Sequence, residues 1–303
     1  MNEPPSATLV TMVVPSTIKK IEPLAPIAIE LLNMIPLSAD GGPSLEDALQ
    51  REPALWMKIS QVATRAGRAT PVDASTGASN DESIAGKVSP ADLVELAITI
   101  SVHDYLQSAL TVAEASNYLR YILACADCCA ELAAPAKVDV LLAYAAGLLH
   151  DIGRLALIQA YPERYANLLV LTDAMFASEQ PFDILHYEQM LFGFNHFTTA
   201  TWLADVWNLP HWLRPVVGKF DDQPSASYRN LVATVRTGTR LAHSLGFGYL
   251  QAAPRANVSD ILKQLPGALS HWKALDMWKY GEEHLRSKIQ TRLDWYETLP
   301  RTG

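Results

Sequence analysis

A histidine and an aspartate adjacent in sequence at the end of an apolar helical run form a pair that can grip a divalent cation. His150-Asp151 is such a pair, closing Ala143-Tyr144-Ala145-Ala146-Gly147-Leu148-Leu149 and leading into Ile152-Gly153-Arg154. Two more groups of the same chemistry, Glu188 and His196, follow in the stretch Glu188-x3-Phe192-Gly193-x2-His196. Two imidazoles and two carboxylates suffice for a metal if all four converge. The same four groups also have a structural reading. Buried carboxylates can orient and satisfy imidazoles, so that helices lock in register.

The elements that must carry these groups are helical, since helical periodicity dominates and strand alternation is scarce. The expected fold class is all-α. Ser44-Leu45-Glu46-Asp47 opens a helix through Ala48 and Leu49 with a capping serine, and Ser89-Pro90-Ala91-Asp92 repeats the device. Asn117 to Leu132 reads as one helix, and Pro135 as the start of another that runs to the His150-Asp151 pair. Val138, Leu141, Leu142, Ala145, Leu148, Leu149 and Ile152 share one face of the second helix, and small residues near the dyad imply packing all round. Further helices are expected at about 161–177, 183–192, 196–207 and 227–245, with amphipathic helices beyond Ala252. Residues 68–88 read as a long loop poor in large apolar side chains. The organisation predicted is an N-terminal helical part over 1–105, a helical core over 106–251 and a C-terminal extension over 252–303.

The chain has 303 residues, a hydrophobic fraction of 49% and a net charge of -8. That charge opposes a grip on the phosphate backbone of nucleic acid. No signal peptide is read at the N-terminus, no apolar stretch of membrane-spanning length is expected, and the compartment expected is the cytoplasm. Cys125, Cys128 and Cys129 fall on one helix without a second Cys/His pair to complete a zinc site, and are read as buried packing. His211, His243, His271 and His284 are read as surface or helix-end residues. His103-Asp104 lacks the flanking pattern of the first dyad and is assigned no site. Trp202, Trp207 and Trp212 are read as packing. No phosphate-binding loop, dinucleotide fingerprint or nucleophile elbow is present.

Ala146–Leu157, AGLLHDIGRLAL, resembles the HDOD (HD-related output domain) family, a degenerate branch of the HD metal-dependent phosphohydrolase superfamily, and the resemblance implies a bacterial protein. Glu188-x3-Phe192-Gly193-x2-His196, followed by Trp202-Leu203-Ala204-x2-Trp207-Asn208-Leu209-Pro210, is similar to a second block of that family. Pro15-Ser16-Thr17-Ile18 and Glu52-Pro53-Ala54-Leu55 resemble its opening segments. The resemblance implies that catalytic relatives hold a metal with an upstream histidine, the His-Asp pair and a late aspartate. Here those outer positions fall at Tyr121 and Thr239, whose hydroxyls are poor ligands for a divalent cation. The doubled histidine of the phosphodiesterase branch is replaced by Val217-Gly218-Lys219-Phe220. The expectation is therefore a degenerate site formed by His150, Asp151, Glu188 and His196, with no catalytic residue and no required cofactor. A residual divalent metal on those four residues stays open, and Lys219 is a candidate internal cation. The implied role is signal transduction through a partner protein or a small ligand, with neither membrane nor nucleic acid as partner. The rival is a metal-dependent phosphohydrolase acting on nucleotides or cyclic dinucleotides.

Overall fold

The computed structural model describes residues 14–35, 45–67, 88–179, 182–218, 228–250, 258, 261 and 281–299. Among these residues every regular element is a helix, so the fold is all-α as expected. The capping serine expected at Ser44 and all of the 68–88 loop except Val88 lie outside the described residues. So do Lys219, His271, Trp272 and Trp278.

Four short helices come first: α1 (Ser16–Lys19), α2 (Pro26–Met34), α3 (Leu45–Gln50) and α4 (Pro53–Arg65). Proline opens α2 and α4, where its missing N–H has no helical bond to lose. The long α5 (Pro90–Ala109) begins as predicted, with Ser89 Oγ accepting the Asp92 N–H at 3.1 Å. Next, α6 (Val112–Ala136) starts earlier than predicted, because Thr111 and Glu114 form a reciprocal capping box.

Pro135 does not open the next helix, as expected from sequence, but sits inside the last turn of α6. Lys137 closes that helix in the left-handed region, φ 56°. The following helix, α7 (Val140–Leu149), is opened instead by Asp139, which accepts the Leu142 N–H at 2.8 Å. An aspartate side chain satisfies an orphan N–H at a helix start, which a proline cannot do. Ala143 through Leu149 are all buried, in line with the expected packing on every side. Gly147 is required there, since a Cβ would stand 2.8 Å from both Ala126 Cα and Cys129 Sγ of α6.

The run Val140–Ala160 amends the membrane expectation. An 18-residue window within its 21 residues has a mean hydropathy of 1.4, enough by length and composition to cross a bilayer. Within the fold, however, 89% of that window is buried. It is also broken at His150-Asp151, so that α8 (Ile152–Ala160) is a separate helix not anticipated as such. Then come α9 (Pro162–Ala177), α10 (Ile184–Phe192), α11 (His196–Val206), α12 (Arg214–Val217) and α13 (Arg229–Ala242), the last running into a π turn at His243–Phe247.

One apolar cluster links Ile18 to Leu299. At its centre α6 packs against α7 and α13, while α8 packs against α11. The last described helix, α14 (Gly281–Glu297), buries Leu285, Ile289, Leu293 and Tyr296 and lies on α6 and α4. Its Arg292 is buried and pairs with Asp127 of α6 and, at 2.7 Å, with Glu95 of α5. The same guanidinium lies 4.8 Å above the Tyr144 ring of α7. A single residue thus ties α14 to three core helices.

Candidate functional site

The break between α7 and α8 positions the dyad. His150 ends α7, and Asp151 precedes the first turn of α8 with φ -107° and ψ 22°. Gly153, two residues further, lets α8 approach α11 closely, since any Cβ there would collide with the His196 carbonyl oxygen and the Ala200 backbone. This close approach brings His196, the first residue of α11, to the dyad. Glu188 arrives from α10, whose end at Gly193 takes the left-handed conformation, φ 82°, that turns the chain into α11.

All four predicted residues are buried in one neighbourhood, but their hydrogen bonds run in two separate sets. In the first, His150 Nδ1–H donates to the Gly147 carbonyl at 2.8 Å. Because a carbonyl can only accept, this bond assigns the proton to Nδ1 and leaves Nε2 as an acceptor. Tyr121 O–H donates to that nitrogen at 2.9 Å. Burial pushes the His150 imidazole below its ordinary range, so it stays neutral in this arrangement. The tyrosine at the upstream ligand position therefore caps the lone pair a metal would use.

The second set is a chain. Arg154 Nε donates to Asp151 Oδ2 at 2.6 Å, and another Arg154 N–H reaches the Tyr165 hydroxyl at 3.3 Å. Tyr165 donates to Glu188 Oε1 at 2.9 Å. The other Glu188 oxygen accepts both the His196 backbone N–H, at 2.9 Å, and its Nδ1–H, at 2.6 Å. Burial alone would push both carboxyls up. For Asp151 the field and hydrogen bond of Arg154 lead the effects that outweigh burial, and for Glu188 the hydrogen bonds to His196 lead them. Both are held below the usual carboxylate range and are ionised.

These donors do not fit a divalent ion. The His150 lone pair is occupied, both Glu188 oxygens are engaged, and a guanidinium sits against Asp151. Among the described residues no three His, Cys, Asp or Glu side chains are arranged to hold a metal. Thr239, at the late ligand position, has its hydroxyl buried beside the Cys125 thiol without a hydrogen bond of good geometry.

Sequence reasoning missed three members. Arg154 stood in view three residues after Asp151, an i,i+3 spacing that pairs charges on a helix. Tyr165 gave no local signal, because it meets Glu188 only through the packing of α9 on α10. His243 was read as surface or helix-end. It does follow α13, but its ring is partly buried, edge-on to Tyr121 at 5.5 Å between centroids. A Cβ on Gly248 would stand 2.6 Å from its Nδ1. His211 and His284 are exposed as expected. His103-Asp104 serves elsewhere: Asp104 takes the buried Lys58 ammonium of α4 at 2.7 Å, joining α4 to α5. Trp207 and Trp212 are buried, and Trp212 donates to the Leu32 carbonyl at 3.2 Å. All three cysteines are free and buried.

Residues 89–221 match the family model of the HDOD domain. This protein contains an HDOD domain. The match covers α5 through α12 and every site residue named above except Thr239 and His243. No curated protein matches the sequence. Among solved structures, an HDOD domain protein of unknown function from Geobacter sulfurreducens aligns with TM-score 0.67 at 17% identity, covering 92% of this chain and 94% of that one. A Shewanella amazonensis protein provisionally named a phosphohydrolase aligns with TM-score 0.63 at 17% identity, covering 94% and 97%. A Marinobacter aquaeolei protein provisionally named a signal transduction protein aligns with TM-score 0.60 at 15% identity, covering 90% of this chain and 60% of that one. At these identities the likeness is one of fold.

The cluster predicts a pH response. His243 is pushed down to about 4, by burial first and then by the positive charge of Arg154. Below the ordinary imidazole value of about 6.5 the unfolded chain takes up a proton that the folded chain refuses until about pH 4. Stability should therefore fall as pH drops through that window, and His150 adds a contribution of the same sign. The melting temperature of His243→Gln, followed over the window, should show a shallower slope than wild type. Identical slopes would mean that His243 does not titrate in this way.

Proposed function

We propose that this HDOD protein is a non-catalytic regulator that works in the cytoplasm by binding a partner protein or small ligand. The observation that carries this reading is the Arg154 guanidinium within the four-residue cluster, paired with Asp151 where a catalytic relative would offer that carboxylate to a metal. Metal-assisted phosphoryl hydrolysis needs a bound ion to lower the pKa of water and polarise the phosphoryl oxygen. Tyr121 and Thr239 supply neither imidazole nor carboxylate toward such an ion. The cluster then acts as a scaffold: it fixes α8, α10 and α11 around the end of α7. An HDOD domain as the principal matched unit fits this regulatory reading.

The rival, a phosphohydrolase, is tested directly. Purified full-length protein is assayed with nucleoside phosphates and cyclic dinucleotides in the presence of Mn2+, Mg2+ or Fe2+. The expected result is no turnover above about 0.1 s⁻¹, well under the roughly 1–10³ s⁻¹ of ordinary enzymes. A faster rate that disappears in Asp151→Ala would overturn the non-catalytic reading.

A further inference from the structure

We propose that a cavity walled by Arg120, Asp173 and Tyr249 binds a small zwitterion, an ammonium–carboxylate molecule of amino-acid or dipeptide size. The inference deepens the ligand-binding reading above and rests on it. The cavity measures about 390 Å³ and lies between α6, α9 and the turn that follows α13. That volume is within the range of ordinary small-molecule sites, about 300–1,000 Å³.

Its lining carries charges of both signs, one for each end of such a molecule. Arg120 of α6 lies over the Phe247 ring at 5.1 Å, and no carboxylate of the described residues pairs with it. A guanidinium with no carboxylate partner can take one by two parallel bonds. From α9, Asp173 lines the same cavity, exposed and without an ion pair or hydrogen bond among the described residues. Glu114 adds a second carboxylate, of which only Oε2 is used in the α6 capping box. An ammonium group is the natural partner of these two acids, and the Tyr249 ring beside them adds a π face for it. Two acids against one guanidinium disfavour a multiply charged anion.

The cavity is also wired to the cluster. The Tyr249 ring, part of its wall, lies 5.2 Å from that of Tyr118 and 6.1 Å from that of Tyr121. Tyr118 in turn donates to the Asp151 carbonyl at 2.6 Å. Arg286 of α14 donates to the Leu245 carbonyl in the same turn. A ligand that presses on Tyr249 therefore touches a rigid hydrogen-bonded frame on one side and a turn held by α14 on the other.

The test is calorimetric titration of full-length protein with the standard amino acids and simple dipeptides. Each binder is repeated as its C-terminal amide and its N-acetyl form. We expect at least one free zwitterion to bind with Kd below about 1 mM, and both modified forms to bind at least about tenfold more weakly. Arg120→Gln should weaken the free zwitterion but not its amide, and Asp173→Asn should weaken it but not its N-acetyl form. Both are surface substitutions, and unchanged melting temperatures would confirm intact folding. No binding at millimolar concentration, binding indifferent to both substitutions, or binding confined to phosphate-bearing compounds would overturn the proposal. Turnover in the hydrolysis assay would overturn the non-catalytic reading while leaving a zwitterion site standing, so the two can fail separately.

Discussion

Replacing Arg154 with methionine is expected to cost about 3–5 kcal/mol of folding stability, because it strands a buried carboxylate. The Arg154 and Asp151 side chains are 9% and 4% exposed, so water cannot take over from the guanidinium. The loss extends along the chain, since Tyr165 and Glu188 also lose the positive field that Arg154 supplies. The double variant Arg154→Met/Asp151→Asn removes both charges and should recover a large part of the loss. That recovery separates pair energetics from lost packing. Urea melts of wild type, Arg154→Met, Asp151→Asn and the double variant near neutral pH, with and without EDTA, provide the measurement. A single variant within about 1 kcal/mol of wild type would show that the pair contributes nothing. Wild-type protein that itself loses stability in EDTA would show that a metal, not the arginine, holds the cluster together.

A loss of similar size, about 3–5 kcal/mol, is expected for Arg292→Met, but at the other end of the molecule. Arg292 is buried against Asp127, Glu95 and Tyr144, and it is the polar anchor of α14. Burial already pushes Asp127 above its ordinary value, with Arg292 opposing that shift. Without the arginine, Asp127 rises further, so the folded variant keeps a proton that the unfolded chain gives up above about pH 4. The loss in the variant should therefore deepen as pH rises above that value. Amide exchange should show protection falling first in residues 281–299. If α14 stays as protected as in wild type and stability is unchanged, its apolar face and its other polar contacts hold it in place without Arg292.

What could be read from the chain follows from how local each signal is. Helix starts written in short capping patterns, such as Ser89 with Asp92, were legible. The Thr111-x-x-Glu114 box was equally local and was passed over, which misplaced the start of α6. Pro135 misled because proline suits a helix start in general, whereas here Asp139 supplies the cap and Lys137 the stop. The cluster residues His150, Asp151, Glu188 and His196 were found because their spacing survives in one motif and its neighbour. The partners that decide their chemistry were not. Tyr165 reaches Glu188 across α9 and α10, and His243 reaches Tyr121 from the far side of α13. Neither contact leaves a periodic trace. Arg292 was out of reach for the same reason, since its three partners lie on helices more than a hundred residues upstream in sequence.

The three cysteines carry a consequence for measurement. Cys129 is wedged between two helices, against Gly147 of α7 and Gly238 of α13, where neither glycine could carry a methyl group without displacing it. Burial pushes all three thiols well above their ordinary values, so the reactive thiolate is suppressed while the seam stays shut. A thiol reagent can then reach them only during an opening event. The rate of labelling becomes an internal stopwatch for the parting of α6, α7 and α13, read without any engineered residue.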